Sequence, residues 1–299
     1  MSVNKLKTSE IVITRIIQFS GYSSILFVLL ILFFLLAEGF PALIDVSIKD
    51  LLSARWYPIE KYFGIIPLIL GSLVVTLGAS LIAVPFGILT AVYISEIAPK
   101  WAREILKPLV ELLAGLPSVV LGFLGILVVS PFLRDVMNLP TGLTALTGSL
   151  LLGGIAIPTI VSISEDALNN IPESYRQGSL ALGVTRWQTI WGVTFPAARS
   201  GIITAVMLGL GRTIGETMTV MMVTGNAPVL PDSLKALFMP IRTMTATIAS
   251  EMGEVANGSP HYHVLFFIGM VLFLFTLAVN VIAANISQSK VKRSERILS

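Results

Sequence analysis

Arg212 and Glu216 are two ionisable residues within a stretch, residues 201–223, that is otherwise apolar enough to cross a membrane. An ionisable side chain at bilayer depth costs at least about 2.5–3.5 kcal/mol, so it faces a protein interior or a water-filled path and usually has a partner. Residues four apart lie on one face of a helix, which predicts that Arg212 and Glu216 pair. The pair either locks two helices together or marks a place where a charged solute crosses the membrane.

Small and hydroxyl-bearing residues surround these two charges. Thr213 and Thr217 offer hydroxyl groups that can bind a solute or their own helix backbone. Gly211 and Gly215 form a G-x-x-x-G pair, which lets a neighbouring helix backbone approach closely. The charged helix is therefore expected to lie against another helix rather than against lipid.

The sequence lacks the residue patterns of catalytic and metal-binding sites. It has no cysteine, and the pattern G-x-x-x-x-G-K-[ST] does not occur, so the chain is not expected to bind ATP. His261 and His263 form an H-x-H pair, but a metal site usually needs three or four ligands, and we interpret them as solvated loop residues. An intramembrane protease or transferase would need a serine–histidine–carboxylate or metalloprotease arrangement, which is missing.

The composition is that of an integral membrane protein. Hydrophobic residues make up 55% of the chain, charged residues only 12%, and the mean hydropathy is +0.87. A soluble domain carries about 25% charged residues. The net charge of +3 comes from basic residues scattered at the ends of apolar segments, which argues against nucleic acid as a partner.

Six stretches are long enough to cross about 30 Å of hydrocarbon, which takes about 20 residues. They predict an all-α, polytopic fold with six transmembrane helices near residues 16–37, 72–94, 112–133, 143–164, 201–223 and 264–289. Residues 64–71, which include Pro67, are interpreted as a short lead-in at the interface. The first stretch is too long for the apolar region of a signal peptide and predicts a permanent helix.

The basic residues predict the orientation of these helices. Six spans put both termini on one side, and the segments on that side hold thirteen lysine and arginine residues against six on the other. Because lysine and arginine accumulate in cytoplasmic segments, both termini are expected in the cytoplasm.

The loop over residues 165–200 is the largest cytoplasmic feature and predicts two short helices. The first covers residues 173–182, and Gly183 can end it in a left-handed conformation. Thr185 and Gln188 have the spacing of a capping box at the start of the second. Trp187, Ile190 and Trp191 give that helix an apolar face, and Pro196 is expected to end it near the membrane. A face of this kind is either an aromatic anchor at the membrane interface or a contact with a partner.

The residues of this loop resemble those of a known family. Gln177 to Gly183 read QGSLALG, and Phe195-Pro196 ends thirteen residues after the glycine. This stretch resembles the loop of ABC-importer permeases, in which E-A-A is followed by three residues, glycine and later a hydrophobic-proline pair; here glutamine, glycine and serine replace E-A-A. The resemblance implies a coupling helix that docks on an ATPase subunit through Gln177, Gly178, Ser179, Gly183, Trp187 and Pro196.

Two further stretches resemble one subfamily, the permease subunits of phosphate-specific ABC importers. Residues 111–120, ELLAGLPSVV, are similar to its third span, and residues 209–218, GLGRTIGETM, are similar to its fifth span. Residues 248–254 and the closing span around Asn280 fit it too, so the resemblance covers about residues 60–290.

The resemblance implies the type I importer permease fold and its assembly in the bacterial cytoplasmic (inner) membrane. The expected divisions are residues 1–63 with the first span, a permease core at 64–290 with the coupling loop at 165–199, and a basic tail at 291–299. The implied partners are a homologous second permease subunit, two copies of an ATPase that carries ATP and magnesium, and an external phosphate-binding protein; no cofactor is expected on this chain. The implied phosphate path contains Arg212, Glu216, Thr213 and Thr217.

Two other function classes remain open at this point. A permease for another oxyanion, of the sulfate or molybdate type, would share the coupling loop but is not expected to carry the sequence GRTIGE. An ion-coupled carrier could use Arg212 and Glu216 as a charge relay, but it would not need the loop that runs from Gly183 to Pro196.

Overall fold

The computed structural model describes residues 3–298, with side chains described except at residues 3–9, 234, 283, 284 and 286–299. Within that range the regular secondary structure is helical apart from one small hairpin and one isolated bridge. The helices are α1 Val3–Gly39, α2 Ala42–Asp45, α3 Ile48–Leu51, α4 Ile66–Val92, α5 Lys100–Ala114, α6 Ser118–Leu124, α7 Ser130–Met137, α8 Ala145–Asn169, α9 Glu173–Ala181, α10 Arg186–Thr189, α11 Phe195–Gly215, α12 Met218–Val223, α13 Met244–Glu251 and α14 Pro260–Leu298. The hairpin pairs β1, Trp56–Tyr57, with β2, Tyr62–Phe63, in antiparallel register.

Six helical stretches in the described part of the chain are long and apolar enough to span a membrane, which confirms the predicted number. They are Glu10–Asp45, Ile66–Ile97, Ser118–Met137, Ala145–Asn169, Arg186–Gly215 and Pro260–Ile282. The fold is therefore all-α and polytopic, as the hydrophobic pattern predicts.

The fourth span, α8, lies at the centre of the bundle. Its most apolar window is 56% buried, whereas those of the first and sixth spans are 11% buried. It packs against α4 and α11, and its contact with α4 contains two clusters of buried apolar residues: Val75 and Ala79 with Leu152, and Ala83 with Ala156 and Ile160. Small residues let these helix backbones approach closely, which is how helices associate where lipid supplies no hydrophobic driving force.

The second span is longer than predicted. α4 begins at Ile66 and continues as a wider π-helical turn, Tyr93–Ile97, so residues 66–71 belong to the span and the predicted lead-in over 64–71 is wrong there. Pro67 lies in the first turn, where the missing N–H is not needed. Gly71 passes so close to the carbonyl oxygen of Arg242 that a β-carbon would overlap it, and this contact keeps the first turns of α4 inside the bundle.

The third and fourth spans also differ from the predicted boundaries. The third begins at Ser118, not at residue 112, because Gly115 ends α5 and Pro117 is extended, with φ −61° and ψ 132°. α5 is a separate amphipathic helix on the side of the coupling loop. The fourth span runs on to Asn169 and takes in Glu165, which was expected to begin the loop.

The loop helices join the fifth span without a stop at Pro196, which corrects the prediction that this proline ends a helix. α10 passes through a π-helical turn, Ile190–Thr194, directly into α11. Phe195 donates its N–H to the carbonyl of Ile190, a five-residue step that widens the helix there. Pro196 follows directly after this wide turn, and a local π-helical adjustment lets the helix continue past a residue that has no N–H.

A cap of short elements covers the ends of α4 and α14 on the side opposite the coupling loop. Glu251, the last residue of α13, accepts hydrogen bonds from Trp56 Nε1 at 3.1 Å and forms an ion pair with Arg242 at 2.8 Å. Its other oxygen lies 2.8 Å from His261 Nε2, and His263 Nδ1 lies 2.6 Å from Asp45. Both histidines are half-buried in the first turn of α14, so the prediction of solvated loop residues is wrong. Half of α13 is buried, and the helix contacts α4, α12 and α14, so it packs on the protein's own helices.

We expect the stability of this cap to fall in acid. Burial raises the pKa of Glu251, but hydrogen bonds from His261 and Trp56 and the charge of Arg242 outweigh burial and hold the pKa below its ordinary range. A carboxylate with a lowered pKa stabilises the fold above its unfolded pKa, about 4.3, and loses that contribution as the pH falls through the lowered value.

Thermal unfolding in detergent between about pH 3 and pH 6 tests this expectation. Glu251→Gln should flatten the acid side of the stability profile, whereas Glu254→Gln, at an exposed glutamate nearby, should leave it unchanged. A Glu251→Gln profile identical to that of the parent protein would contradict it.

Candidate functional site

Two breaks between consecutive helices lie close together, because α6 packs against α12. One break separates α5 from α6 at residues 115–117, and the other separates α11 from α12 at Glu216 and Thr217. Thr219 in α12 donates its hydroxyl to the carbonyl of Ser118 in α6, with 2.9 Å between the oxygens. In transporters, broken helices whose backbone groups are free at membrane depth line binding sites or transport paths.

Arg212 lies where α5, α8 and α11 converge. Its Nη1 donates to the hydroxyl of Thr159 in α8 at 3.1 Å, and its Nη2 donates to the carbonyl of Ala114 at 3.2 Å. Ala114 is the last residue of α5, so the guanidinium sits at the negative end of that helix. The side chain is half-buried, and no carboxylate lies within 4.0 Å of it among the described residues.

The predicted pair of Arg212 and Glu216 is wrong. α11 ends at Gly215, and Glu216 has an extended backbone, with φ −68° and ψ 126°. The two residues therefore do not share a continuous helix, and no ion pair joins them in the described part of the chain. Glycine at position 215 weakens the helix there because it loses more conformational freedom than any other residue.

Glu216 faces a different part of the bundle. Its side-chain oxygen accepts a hydrogen bond from the N–H of Thr219 at 3.2 Å, and its carbonyl accepts one from the hydroxyl of Thr245 at 3.1 Å. It borders a small cavity that is rich in hydroxyl groups, from Ser72, Thr76, Thr213, Thr243 and Thr245. The carboxylate thus lies between α4 and the residues that precede and begin α13, and Arg212 lies between α5 and α8.

The two predicted threonines are held by their own chain. The hydroxyl of Thr213 donates to the carbonyl of Leu210 at 2.8 Å, and that of Thr217 donates to the carbonyl of Gly215 at 3.2 Å. Thr213 also borders the cavity at Glu216. Their donors are occupied, so either hydroxyl can offer a ligand only its remaining acceptor capacity.

The coupling loop has the predicted architecture. α9 ends at Ala181, and Gly183 follows in the left-handed region with φ +82°. Thr185 and Gln188 form the expected capping box. Gln177 and Gly178 lie exposed on α9, Trp187 is 58% exposed, and Pro196 is exposed on α11. Ser179 is different: it is buried, and its hydroxyl is 2.8 Å from that of Thr189, so it joins α9 to α10 and does not face a partner.

Arg176 anchors this loop to the spans. Its guanidinium forms an ion pair with Glu96 at 2.8 Å and donates to the carbonyls of Leu168 and Ile171, each at 2.9 Å. The hydrogen bond with Glu96 raises the pKa of Arg176 despite burial, which works in the other direction. The loop is thereby fixed to the ends of both the second and the fourth span.

A second network, absent from the sequence-based prediction, joins α5 to α8. Glu165 is buried, receives Lys107 Nζ at 2.8 Å, and accepts a hydrogen bond from Asn169 at 2.6 Å. Asn169 in turn accepts one from Ser95 at 2.8 Å. The hydrogen bond to Glu165 raises the pKa of Lys107. The single signal in the sequence is a carboxylate directly after an apolar run, and spacing could not reveal its partner 58 residues away.

Comparison with known proteins identifies the class. The family model described as "Binding-protein-dependent transport system inner membrane component" matches residues 83–292, and the chain belongs to this family. It is a multi-pass protein of the inner membrane with the fold of ABC type I importer permeases.

Named relatives of this chain are ABC transporter permeases. The chain is 43% identical over 244 residues to the probable ABC transporter permease protein YqgH of Bacillus subtilis, covering 80% of this chain and 78% of that one. It is 36% identical over 250 residues to the phosphate transport system permease protein PstC of Xylella fastidiosa, covering 77% and 76%. The predicted resemblance to phosphate permeases is thus confirmed.

Solved structures share the fold. A chain of the MetNI methionine ABC transporter in an inward-facing conformation has a TM-score of 0.56 and 20% identity, covering 76% of this chain and 94% of that one. A chain of a bacterial alginate ABC transporter, in complex with a periplasmic protein bound to an alginate pentasaccharide, has a TM-score of 0.64 and 16% identity, covering 94% and 96%. At these identities the likeness concerns the fold alone.

Proposed function

We propose that this chain is the permease subunit of an ATP-driven importer that moves inorganic phosphate across the cytoplasmic membrane. The observation that carries the proposal is Arg212, a half-buried guanidinium at the junction of two broken helices and without a carboxylate partner among the described residues. A guanidinium has five N–H donors in a planar fork that matches the oxygens of phosphate. Two nitrogens of Arg212 donate to Thr159 and Ala114, and these hydrogen bonds hold the guanidinium in place. The remaining N–H groups of Arg212 are left to bind an anion.

The geometry assigns Glu216 a role separate from that of Arg212. Because Glu216 does not neutralise Arg212, the arginine keeps its full attraction for an anion. The negative charge of Glu216 lies instead at the hydroxyl-lined cavity. Conduction requires binding that is weak enough to release the solute. We infer that Glu216, with Thr213 and Thr217 nearby, repels phosphate from the hydroxyl-lined cavity and thereby favours its passage past Arg212.

The similarity to PstC proteins supports phosphate as the solute, and the family supports the partners. We propose a homologous second permease subunit, two copies of an ATPase that bind ATP and magnesium, and an external phosphate-binding protein. The chain itself has no catalytic role in this proposal. A charge relay through an Arg212–Glu216 pair, as in an ion-coupled carrier, loses its basis because the two groups do not pair.

Uptake by the reconstituted complex tests the proposal. Proteoliposomes with the full complex and its external binding protein should accumulate labelled phosphate when ATP is supplied on the ATPase side, and excess sulfate or molybdate should not compete. Uptake of sulfate or molybdate in preference to phosphate would instead support the second candidate, a permease for another oxyanion. Uptake driven by an ion gradient without ATP would reject both.

The exposed tip of the coupling loop is proposed to contact the ATPase, and Gly183 offers a test. A β-branched side chain in the left-handed region costs about 1–2 kcal/mol, so Gly183→Val should shift the join between α9 and α10. We expect ATP hydrolysis stimulated by the loaded binding protein to be lost in Gly183→Val. Asparagine tolerates this conformation, so Gly183→Asn should keep the stimulation. Full stimulation in Gly183→Val would contradict the assignment.

The proposed orientation places both termini and the coupling loop in the cytoplasm. Since the chain has no cysteine, single cysteines can be introduced at Ser233 and at Lys100, both exposed on opposite sides of the bundle. An impermeant maleimide should label Ser233→Cys in intact cells, and Lys100→Cys only after permeabilisation. The reverse pattern would overturn the orientation.

A further inference from the structure

A cleft of about 390 Å³ lies between the coupling loop and the ends of the second and fourth spans, and neither Arg212 nor its partners Thr159 and Ala114 line it. Arg103 of α5, Arg176 of α9 and Arg186 of α10 all line it, together with Glu96 and Glu173. Pockets that hold small ligands have volumes of about 300–1,000 Å³, so this cleft is large enough for one. We call it the loop cleft.

The charges in the loop cleft do not cancel. Arg176 uses its guanidinium on Glu96 at 2.8 Å and on Glu173 at 3.4 Å, so one arginine is shared by both carboxylates of the cleft. Arg103 and Arg186 form no ion pair in the described part of the chain. Two guanidinium groups therefore face one cleft without a carboxylate of their own.

The donors of these two arginines are largely unused. Arg103 donates through Nη2 to the carbonyl of Ser95, and its buried Nε has no partner. Arg186, the first residue of α10, is exposed and makes no side-chain hydrogen bond among the described residues. Arg103 is partly buried, and a partly buried guanidinium that lacks an anion is costly. The planar donors of both arginines fit the oxygens of a phosphate group.

We propose that the loop cleft is a binding site for a phosphate group, either inorganic phosphate or a small phosphate monoester, held between Arg103 and Arg186. An anion there bridges α5, which is joined to α8 through Lys107 and Glu165, to α10, which leads into the fifth span. The bound anion thus fastens the coupling loop to the bundle from the cytoplasmic side. This site lies at the ends of the spans, and Arg212 does not line it, so it is distinct from the one proposed at Arg212.

Equilibrium dialysis of the purified full chain with its co-purifying ATPase, in detergent and without the external binding protein, tests this site. The Arg212→Ala background removes the site within the spans, and the probes are labelled inorganic phosphate and, in a second arm, glycerol phosphate. Because hydrogen bonds to a charged group contribute about 1.5–3 kcal/mol, we expect Arg186→Gln and Arg103→Gln each to weaken binding by at least about tenfold. Arg199→Gln, at an exposed arginine that does not line the cleft, should leave it unchanged.

Comparison of the two probes distinguishes inorganic phosphate from a phosphate monoester as the ligand, because the ligand's own class should bind more tightly. Arg186 is exposed and unbonded, so Arg186→Gln keeps the test valid if Arg103→Gln fails to fold. Absence of saturable binding of either probe, or equal binding by Arg186→Gln and its parent, would overturn the proposal. Because the assay measures binding and not transport, an importer that moves a different solute leaves this result intact, and a failure here leaves the uptake result intact.

Discussion

Phosphate uptake is expected to fall about ten- to hundredfold when Arg212 is replaced by alanine, because hydrogen bonds from a charged donor contribute about 1.5–3 kcal/mol. Arg212→Lys keeps the charge but loses the planar fork and the two fixed contacts with Thr159 and Ala114, so uptake should also fall. The measurement is ATP-driven uptake of labelled phosphate into proteoliposomes, with assembly of the complex checked for each variant.

The control for this prediction is Arg199→Ala, which removes an exposed arginine from the same helix, α11, and should leave uptake unchanged. A structural ion pair can often be replaced by apolar residues without loss, but Arg212 and Glu216 are not paired, so Arg212→Leu with Glu216→Leu should remain inactive. If that double variant assembles and imports phosphate at the parent rate, Arg212 is not a conduction residue.

Removing Arg176 is expected to lower the free energy of unfolding by about 3–5 kcal/mol, because Glu96 would keep a buried charge without its partner. The side chains of Arg176 and Glu96 are only 16% and 8% exposed, and Arg176 also satisfies two carbonyls at the end of α8. We expect the loss in Arg176→Ala, and thermal unfolding of the purified protein measures it.

The matched control is Arg134→Ala, which breaks the pair with Asp135, whose side chains are 51% and 66% exposed. Exposed pairs contribute about 0–1 kcal/mol, so this variant should be nearly as stable as the parent. Glu96→Gln with Arg176→Gln should cost less than the sum of the single changes. An Arg176→Ala variant no less stable than Arg134→Ala would refute the role of Arg176 as an anchor.

The features that local sequence predicts correctly are those that local physics decides. Gly183 adopts the left-handed conformation that other residues avoid, and Thr185 with Gln188 forms a capping box from residues three apart. The six spans follow likewise from the length of their apolar runs. None of these features needs a contact from elsewhere in the chain.

The features that the sequence does not predict depend on contacts between distant segments. The break at Glu216 is stabilised by Thr245, and the anchor of the loop pairs Arg176 with Glu96, 80 residues earlier. The spacing of Arg212 and Glu216 fits an unbroken helix as well as a broken one, so spacing alone led to the wrong pair. Contacts with α5, α8 and α13, which exist only in the folded chain, favour the broken helix over the unbroken one.

The position of Arg212 also bears on how the protein is made. The fifth span has the lowest hydropathy of the six, 1.4, and carries Arg212 into the bundle. The groups that receive this arginine, Ala114 and Thr159, both precede it in the chain and leave the ribosome first. α5 and the nascent fourth span can therefore lower the cost of inserting the fifth, whereas the fifth span alone would meet lipid with its charge unsolvated. Both partners of Arg212 are thus synthesised before the helix that carries Arg212.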